Sequence, residues 1–186
     1  MQSKVYILSW PSGVGKTTVW DILLKENDLG LKKIITTTTR NKREWEIDWL
    51  DYYFLNKENF QKKIEDDEFI EYAIVHDNYY WSTYYELYNI LRNNFIALYI
   101  VDPQWAIFLK EKLKNKYDII TFFLLPPSEE DLKQRLLDRW TETEESFNIR
   151  FDESLEQMKQ KNNYDFCIVN SDLKKTIEDF KKIIIN

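Results

Sequence analysis

The stretch WPSGVGKTT at 10–18 constrains this chain more than any other, because of what flanks it. Before it stands a short β-branched and aromatic run at 4–9 (KVYILS), and after it a helix-patterned segment at 16–25. A strand that turns through a glycine-bearing loop into a helix makes a cradle for phosphate. Backbone N–H groups of Ser12, Gly13, Val14, Gly15 and Lys16 converge on one anion, reinforced by the positive end of the helix dipole. The Lys16 ammonium adds a full charge, the Thr17 hydroxyl is suited to hold Mg²⁺, and Thr18 is left for hydrogen bonds to phosphates or to the helix turn. Trp10 and Pro11 lead into the loop. Trp10 is where the pattern departs, since G-x-x-x-x-G-K-[ST] opens on glycine.

Beyond the loop, strands are expected at 34–39, 52–54, 69–75, 95–101, 119–125 and 166–169. Helices are expected at 57–65, from 83, from 103, from 128, at 144–160 and at 173–184. Thr83 with Glu86, and Ser128 with Asp131, have the spacing of helix-capping pairs. Regular alternation from 83 onward implies an α/β fold, a parallel sheet with helices on both faces, into which the mixed segment 34–83 is inserted.

The 186 residues suit one domain, and an apolar share of 44% beside 31% charged excludes a disordered chain. The longest apolar run, 95–101, falls far short of a bilayer span, and the N-terminus has no secretory pattern. A cytoplasmic protein without membrane partners is expected. A net charge of −6 argues against nucleic acid as a partner and leaves room for a local cationic pocket that takes a small anion. The lone Cys167 fits a reducing compartment and a packing role, and the lone His76 has nothing nearby that would give it chemistry.

Further motifs accompany the loop: TTTTR at 36–40, Arg43, Glu46, DYYF at 51–54, FIEYA at 69–73, NYYWST at 78–83, VDPQWA at 101–106 and PPSEEDLKQRLLDRWTETEESFNIR at 126–150. With them the chain resembles a guanylate kinase from end to end, a P-loop nucleoside monophosphate kinase. The resemblance implies ATP and GMP as substrates, Mg²⁺ as cofactor, a core of 1–33, 84–126 and 152–186, a GMP-binding insertion at 34–83 and a helical lid at 127–151. In the family, positions matching Arg40, Arg43, Tyr52 and Tyr80 hold the GMP phosphate, and two guanidinium groups with two phenols suit a dianion. Glu71 matches the guanine reader: a carboxylate accepts from N1–H and the N2 amine of guanine, whereas adenine presents an acceptor at N1. Thr36 matches a hydroxyl that donates to guanine O6, and Ser82 a hydroxyl beside the base.

Asp102 matches an acid that orients metal-bound water or contacts the base. Ile100 replaces the family's other acid, which leaves the carboxylate for magnesium unassigned. Arg135 and Arg139, four apart and so on one helix face, and Arg150 match lid arginines that stabilise charge on the transferred phosphoryl group. Asn170 in IVNSD matches a segment near the adenine. Two other readings stand beside this one. One is a non-catalytic interaction module of the same fold, and the other is a related P-loop kinase for a different phosphorylated small molecule. Lys16, Thr17 and the lid arginines argue against the first, Glu71 and Thr36 against the second.

Tryptophan and glycine are out of proportion. The chain has 3 glycines and 7 tryptophans, together 10, against roughly 13 glycines expected at the usual share near 7%. Trp10, Trp45, Trp49, Trp81, Trp105 and Trp140 stand where the resemblance calls for glycine, and Trp20 has no such expectation. The expectation is a gene that uses UGA for glycine, read here as tryptophan, so that glycine at position 10 completes the loop. If the indoles are native, Trp10 obstructs the cradle, Trp45 and Trp81 crowd the GMP site, and a weak catalyst results.

Overall fold

A computed structural model describes residues 3–11, 14, 16–70, 73–75, 77–138 and 144–185. Its strands are β1 (Lys4–Ser9), β2 (Leu31–Lys33), β3 (Thr37–Thr38), β4 (Tyr53–Phe54), β5 (Ala73–Val75), β6 (Asn78–Trp81), β7 (Ile96–Ile100), β8 (Asp118–Leu125) and β9 (Phe166–Val169). The helices are α1 (Lys16–Leu23), α2 (Lys57–Glu65), α3 (Tyr84–Arg92), α4 (Pro103–Leu113), α5 (Glu129–Leu137), α6 (Glu144–Met158) and α7 (Leu173–Ile185). They form two compact units, one of Met1–Leu31 with Leu98–Asn186 and the other of Lys32–Ala97.

A five-stranded sheet in the order β2-β7-β1-β8-β9 organises the fold. β1 is buried from Val5 through Ser9, as a strand covered on both faces should be. It runs parallel to β8 in the register Lys4↔Asp118 to Ser9↔Phe123, and β8 runs parallel to β9 from Phe122↔Phe166 to Leu125↔Val169. An aromatic chain fills the first unit. Tyr6 meets Phe122 at 5.4 Å, Phe122 meets Phe180 at 5.4 Å, and Phe180 meets Trp20 at 5.6 Å. Thr176, Ile177, Phe180 and Ile184 give α7 its buried stripe at helical spacing. Pro103 opens α4, where its missing N–H costs nothing, and the Ser128 side chain accepts from the Asp131 N–H at 3.0 Å to start α5 as expected. Among the described residues, no helix is long and apolar enough to cross a membrane.

Lys32–Ala97 builds a second sheet, β4-β3-β6-β5, with β3 parallel to β4 and antiparallel to β6. Here the expected strands shorten. Of 34–39 only β3 is strand, and among the described residues of 69–75 only β5 is, with Phe69 making an isolated bridge to Thr83. β2 and β6 were not expected, because strands of three or four residues carry too little alternation to read. The Thr83 hydroxyl caps α3 by accepting from the Glu86 N–H at 3.1 Å. Glu86 does not complete a reciprocal box: its buried carboxylate accepts from Tyr53 Oη at 2.9 Å and from the Ile35 N–H at 3.3 Å. That tie outcompetes the cap because Tyr53 Oη would otherwise lose its buried partner. Burial first, then this bond, pushes the Tyr53 hydroxyl well above its ordinary pKa.

Cys167 does not pack in the core. It lies exposed on β9, the last strand of the sheet, where only Ile168 is buried, and its thiol donates to the Lys161 carbonyl. An edge strand has no neighbouring strand along one side, and β9 buries only Ile168, which leaves this short apolar residue at the surface.

The tryptophans divide. Trp10 and Trp81 are 5% and 6% exposed, Trp45 and Trp49 are both 74% exposed, Trp105 is half-buried, and Trp140 lies outside the described residues. Trp49 has φ 71°, in the left-handed region. The other described positive-φ residues are Gly30, which closes a 3-10 turn, and Asp67, Asp77 and Asn94, types whose short side chains tolerate that region. An indole has no such tolerance. Trp49→Gly is therefore expected to raise stability by about 1 kcal/mol. A lower melting temperature would instead show that the contact of Trp49 with Tyr53, at 5.4 Å between ring centroids, outweighs the strain.

Candidate active site

In the first unit, β1 delivers the chain at its buried end to the loop, and α1 begins at Lys16. Ser12, Gly13 and Gly15 lie outside the described residues, as do the side chains of Lys16 and Thr17, while Thr18 is exposed in the first turn of α1. Val14, buried, presents its carbonyl to two donors. Asn170 Nδ2 donates to it at 2.8 Å and Arg135 Nη1 at 3.1 Å, while Arg135 Nη2 donates to the Asn170 carbonyl at 2.9 Å. Asn170 is itself held, its N–H donating to the Leu125 carbonyl at 2.8 Å and its Oδ1 accepting from Thr176 Oγ1 at 3.2 Å. The last turn of α5 and the residue after β9 thus meet at the loop backbone, with the end of β8 and the start of α7 holding Asn170 in place. Trp10 turns into the core, 6.2 Å from Trp20 between ring centroids. Asp102 caps α4 with its backbone carbonyl and leaves its carboxylate exposed.

In the second unit, strand alternation puts Tyr52 and Phe54 on one face and sends Tyr53 to the other. The pairings Thr38↔Phe54 and Thr38↔Tyr80 bring Tyr80 to the same face. Arg40 lies over it, Cζ 5.5 Å from the Tyr52 ring and 5.7 Å from the Phe54 ring, and the Tyr52 and Tyr80 rings are 6.3 Å apart. Burial raises the Tyr52 pKa, against the opposing pull of Arg40, so the phenol stays a donor. Glu46 grips Arg40 end-on, Nη2 to Oε1 at 2.6 Å and Nη1 to Oε2 at 3.0 Å, and accepts from the Arg43 N–H at 2.8 Å. The hydrogen bond from Arg40 first, opposed by burial and helped by the Arg43 N–H, holds the Glu46 carboxyl at about 2. The result is a cation on an aromatic floor, a pocket suited to an anion. Thr36 is half-buried, its carbonyl accepting from the Tyr53 N–H at 2.9 Å, and Ser82 is buried, its carbonyl accepting from the Ile70 N–H at 3.1 Å.

The guanylate kinase family model matches residues 2–186. The chain belongs to the guanylate kinase family. Among its relatives, the guanylate kinase of Mesomycoplasma hyopneumoniae (strain 7448) is 42% identical over 185 residues, covering 98% of this chain and 94% of that protein. The guanylate kinase of Clostridioides difficile (strain 630) is 38% identical over 178 residues, covering 96% and 85%. The crystal structure of guanylate kinase from Anaplasma phagocytophilum superposes with a TM-score of 0.71 at 25% identity, over 99% of this chain and 85% of that one.

Of the residues expected to serve a guanylate kinase, Arg40, Tyr52 and Tyr80 are brought together on one face, and exposed Arg43 joins them through the Glu46 carboxylate and its own backbone N–H. Glu71 and Arg139 lie outside the described residues, as does His76. Arg150 is exposed on α6. Arg135 and Asn170, expected at the phosphoryl group and the adenine, share the Val14 carbonyl. The role of Glu46 was not legible: it sits six residues after Arg40 in a loop, where no periodic spacing signals a contact, and the turn closed by its N–H on the Arg43 carbonyl at 3.1 Å creates the pairing.

Proposed function

We propose that the chain transfers the terminal phosphoryl group of ATP to GMP, giving ADP and GDP. The observation that carries this reading is the acceptor pocket, where Arg40 is poised over Tyr52 with Tyr80 alongside. An oxygen of the GMP phosphate attacks the γ-phosphorus, and the bond to the bridging oxygen breaks with ADP as leaving group. The attacking oxygen is already ionised, so no general base is required, and catalysis rests on positioning and charge neutralisation. Backbone N–H groups of 12–16 and Lys16 hold the donor phosphates. Arg40, Arg43, Tyr52 and Tyr80 hold the acceptor phosphate, and Thr36, Glu71 and Ser82 read the guanine, with Asp102 beside it. Arg139 and Arg150, in a lid at 127–151, offset charge on the moving group. Arg135 and Asn170 brace the loop through Val14 and border the adenine.

Magnesium suits this donor set as an ion carried on the nucleotide. Among the described residues no group of three His, Cys, Asp or Glu could hold a metal, and Thr17 offers one hydroxyl next to the phosphates. When bound, the ion neutralises phosphate charge. Substrates of this kind, with a lone exposed cysteine, fit the reducing and nucleotide-rich cytoplasm. Coupled ADP release tests the reading: it should depend on GMP, and Glu71→Ala should lose selectivity for GMP over AMP by about tenfold or more. Release that is equal without GMP, or a Glu71→Ala enzyme with unchanged selectivity, would overturn it.

The backbone at Trp49 favours a second reading, of the sequence itself. An indole at φ 71° is where a glycine belongs, which supports glycine in the natural chain at 10, 45, 49, 81, 105 and 140 through UGA codons. Intact mass of the protein from its own cells tests it, and seven indoles in that mass would end the idea.

A further inference from the structure

We propose that Glu46 is a positioning residue for the acceptor phosphate, setting which edge of Arg40 meets it; this rests on the reading of Arg40 as part of the GMP pocket. A guanidinium has five N–H groups in a fixed fork. Glu46 takes the end edge, one hydrogen from each terminal nitrogen, at 2.6 and 3.0 Å. The Asn41 carbonyl takes the other Nη1 hydrogen at 2.7 Å. What remains, among its contacts with the described residues, is the side fork, Nε–H with the second Nη2–H, left to an incoming phosphate. A side fork matches two oxygens of one phosphate.

Three features make Glu46 the part that fixes this edge. Its side chain is 10% exposed, so little water competes for it. The same carboxylate accepts from the Arg43 N–H, so one group orients the Arg40 side chain and the loop that carries Arg43. The Tyr52 and Phe54 rings lie against the guanidinium, and of the groups that fix its rotation Glu46 is the side chain, gripping both terminal nitrogens where the Asn41 carbonyl holds one. A carboxylate beside a phosphate site weakens the cation's pull on a second anion. Its retention there makes sense when orientation outweighs charge, since a misaligned fork gives one bond where an aligned one gives two.

Glu46→Gln keeps the shape and turns an N–H toward the guanidinium in place of an acceptor. It should raise the KM for GMP roughly tenfold, with kcat and the KM for ATP changed less than about threefold. Glu46→Asp, which retains the charge at shorter reach, should fall between, and covers the case in which the amide variant does not fold. The deciding measurement is a double-mutant cycle with Arg40→Lys, whose single ammonium presents no fork. In that background Glu46→Gln should add less than about twofold to the KM for GMP. A full tenfold rise there, or a melting temperature that falls while the KM for GMP stays put, would overturn the role of Glu46 and leave the proposed function standing. If Arg40→Ala leaves the KM for GMP unchanged, the acceptor pocket itself has been misassigned, and the role of Glu46 goes with it.

Discussion

Replacing Lys16 with methionine is expected to lower turnover by roughly a hundredfold to a thousandfold. The phosphoryl group in flight spreads negative charge over its outer oxygens, and little covalent chemistry is asked of the protein, so the loss of one fixed charge acts directly on the barrier. Lysine and methionine have similar helix propensity, so α1 should form in both, and melting should move by no more than about 0.5 kcal/mol in stability. Single-turnover kinetics at saturating ATP and GMP check it, because they separate the chemical step from binding and release. Turnover within threefold of the starting protein would remove Lys16 from the chemistry.

The second large effect concerns the indoles, and there stability and activity give independent signs. If the tryptophans are native, glycine at Trp10 and Trp81, 5% and 6% exposed, deletes two buried side chains. Each deletion costs about 3–5 kcal/mol, enough between them to unfold a protein of ordinary stability. If glycine is the natural residue, these two replacements together with those at 45, 49, 105 and 140 complete the phosphate loop and relieve position 49. We expect the second result: a protein with glycine at 10, 45, 49, 81, 105 and 140 that stays folded and gains roughly tenfold or more in kcat/KM for ATP. Trp20 is left unchanged, because it sits within α1 against Phe180, where glycine would lose both packing and helix propensity. Calorimetric unfolding and steady-state kinetics on the two proteins check it. A collapsed six-glycine protein beside an active parent would make the indoles part of the native core.

The strands and helices of the first unit were legible where the pattern had length to repeat. The expected strand at 119–125 is β8, the helix at 173–184 is α7, and the cap at Ser128 forms with its expected partner. The second sheet was less legible. Its strands of two to four residues are set by neighbours across the sheet, as Thr38 is by Phe54 and Tyr80, and no local period records those neighbours.

For the site, the chemical types were readable and the contacts were not. Glycine, lysine and threonine between a strand and a helix announce a phosphate loop because backbone geometry there is local, whereas Arg40 with two tyrosines was assigned to an anion pocket only through the resemblance to guanylate kinases. Only the tertiary structure decided that Glu86 leaves its cap for Tyr53, that Arg135 and Asn170 meet at the Val14 carbonyl, and that Glu46 holds Arg40 by its end edge. The reason is physical. Helix periods and loop motifs depend on residues a few positions apart, whereas the partner of a buried carboxylate or guanidinium depends on which distant donor the folded chain brings within 3 Å.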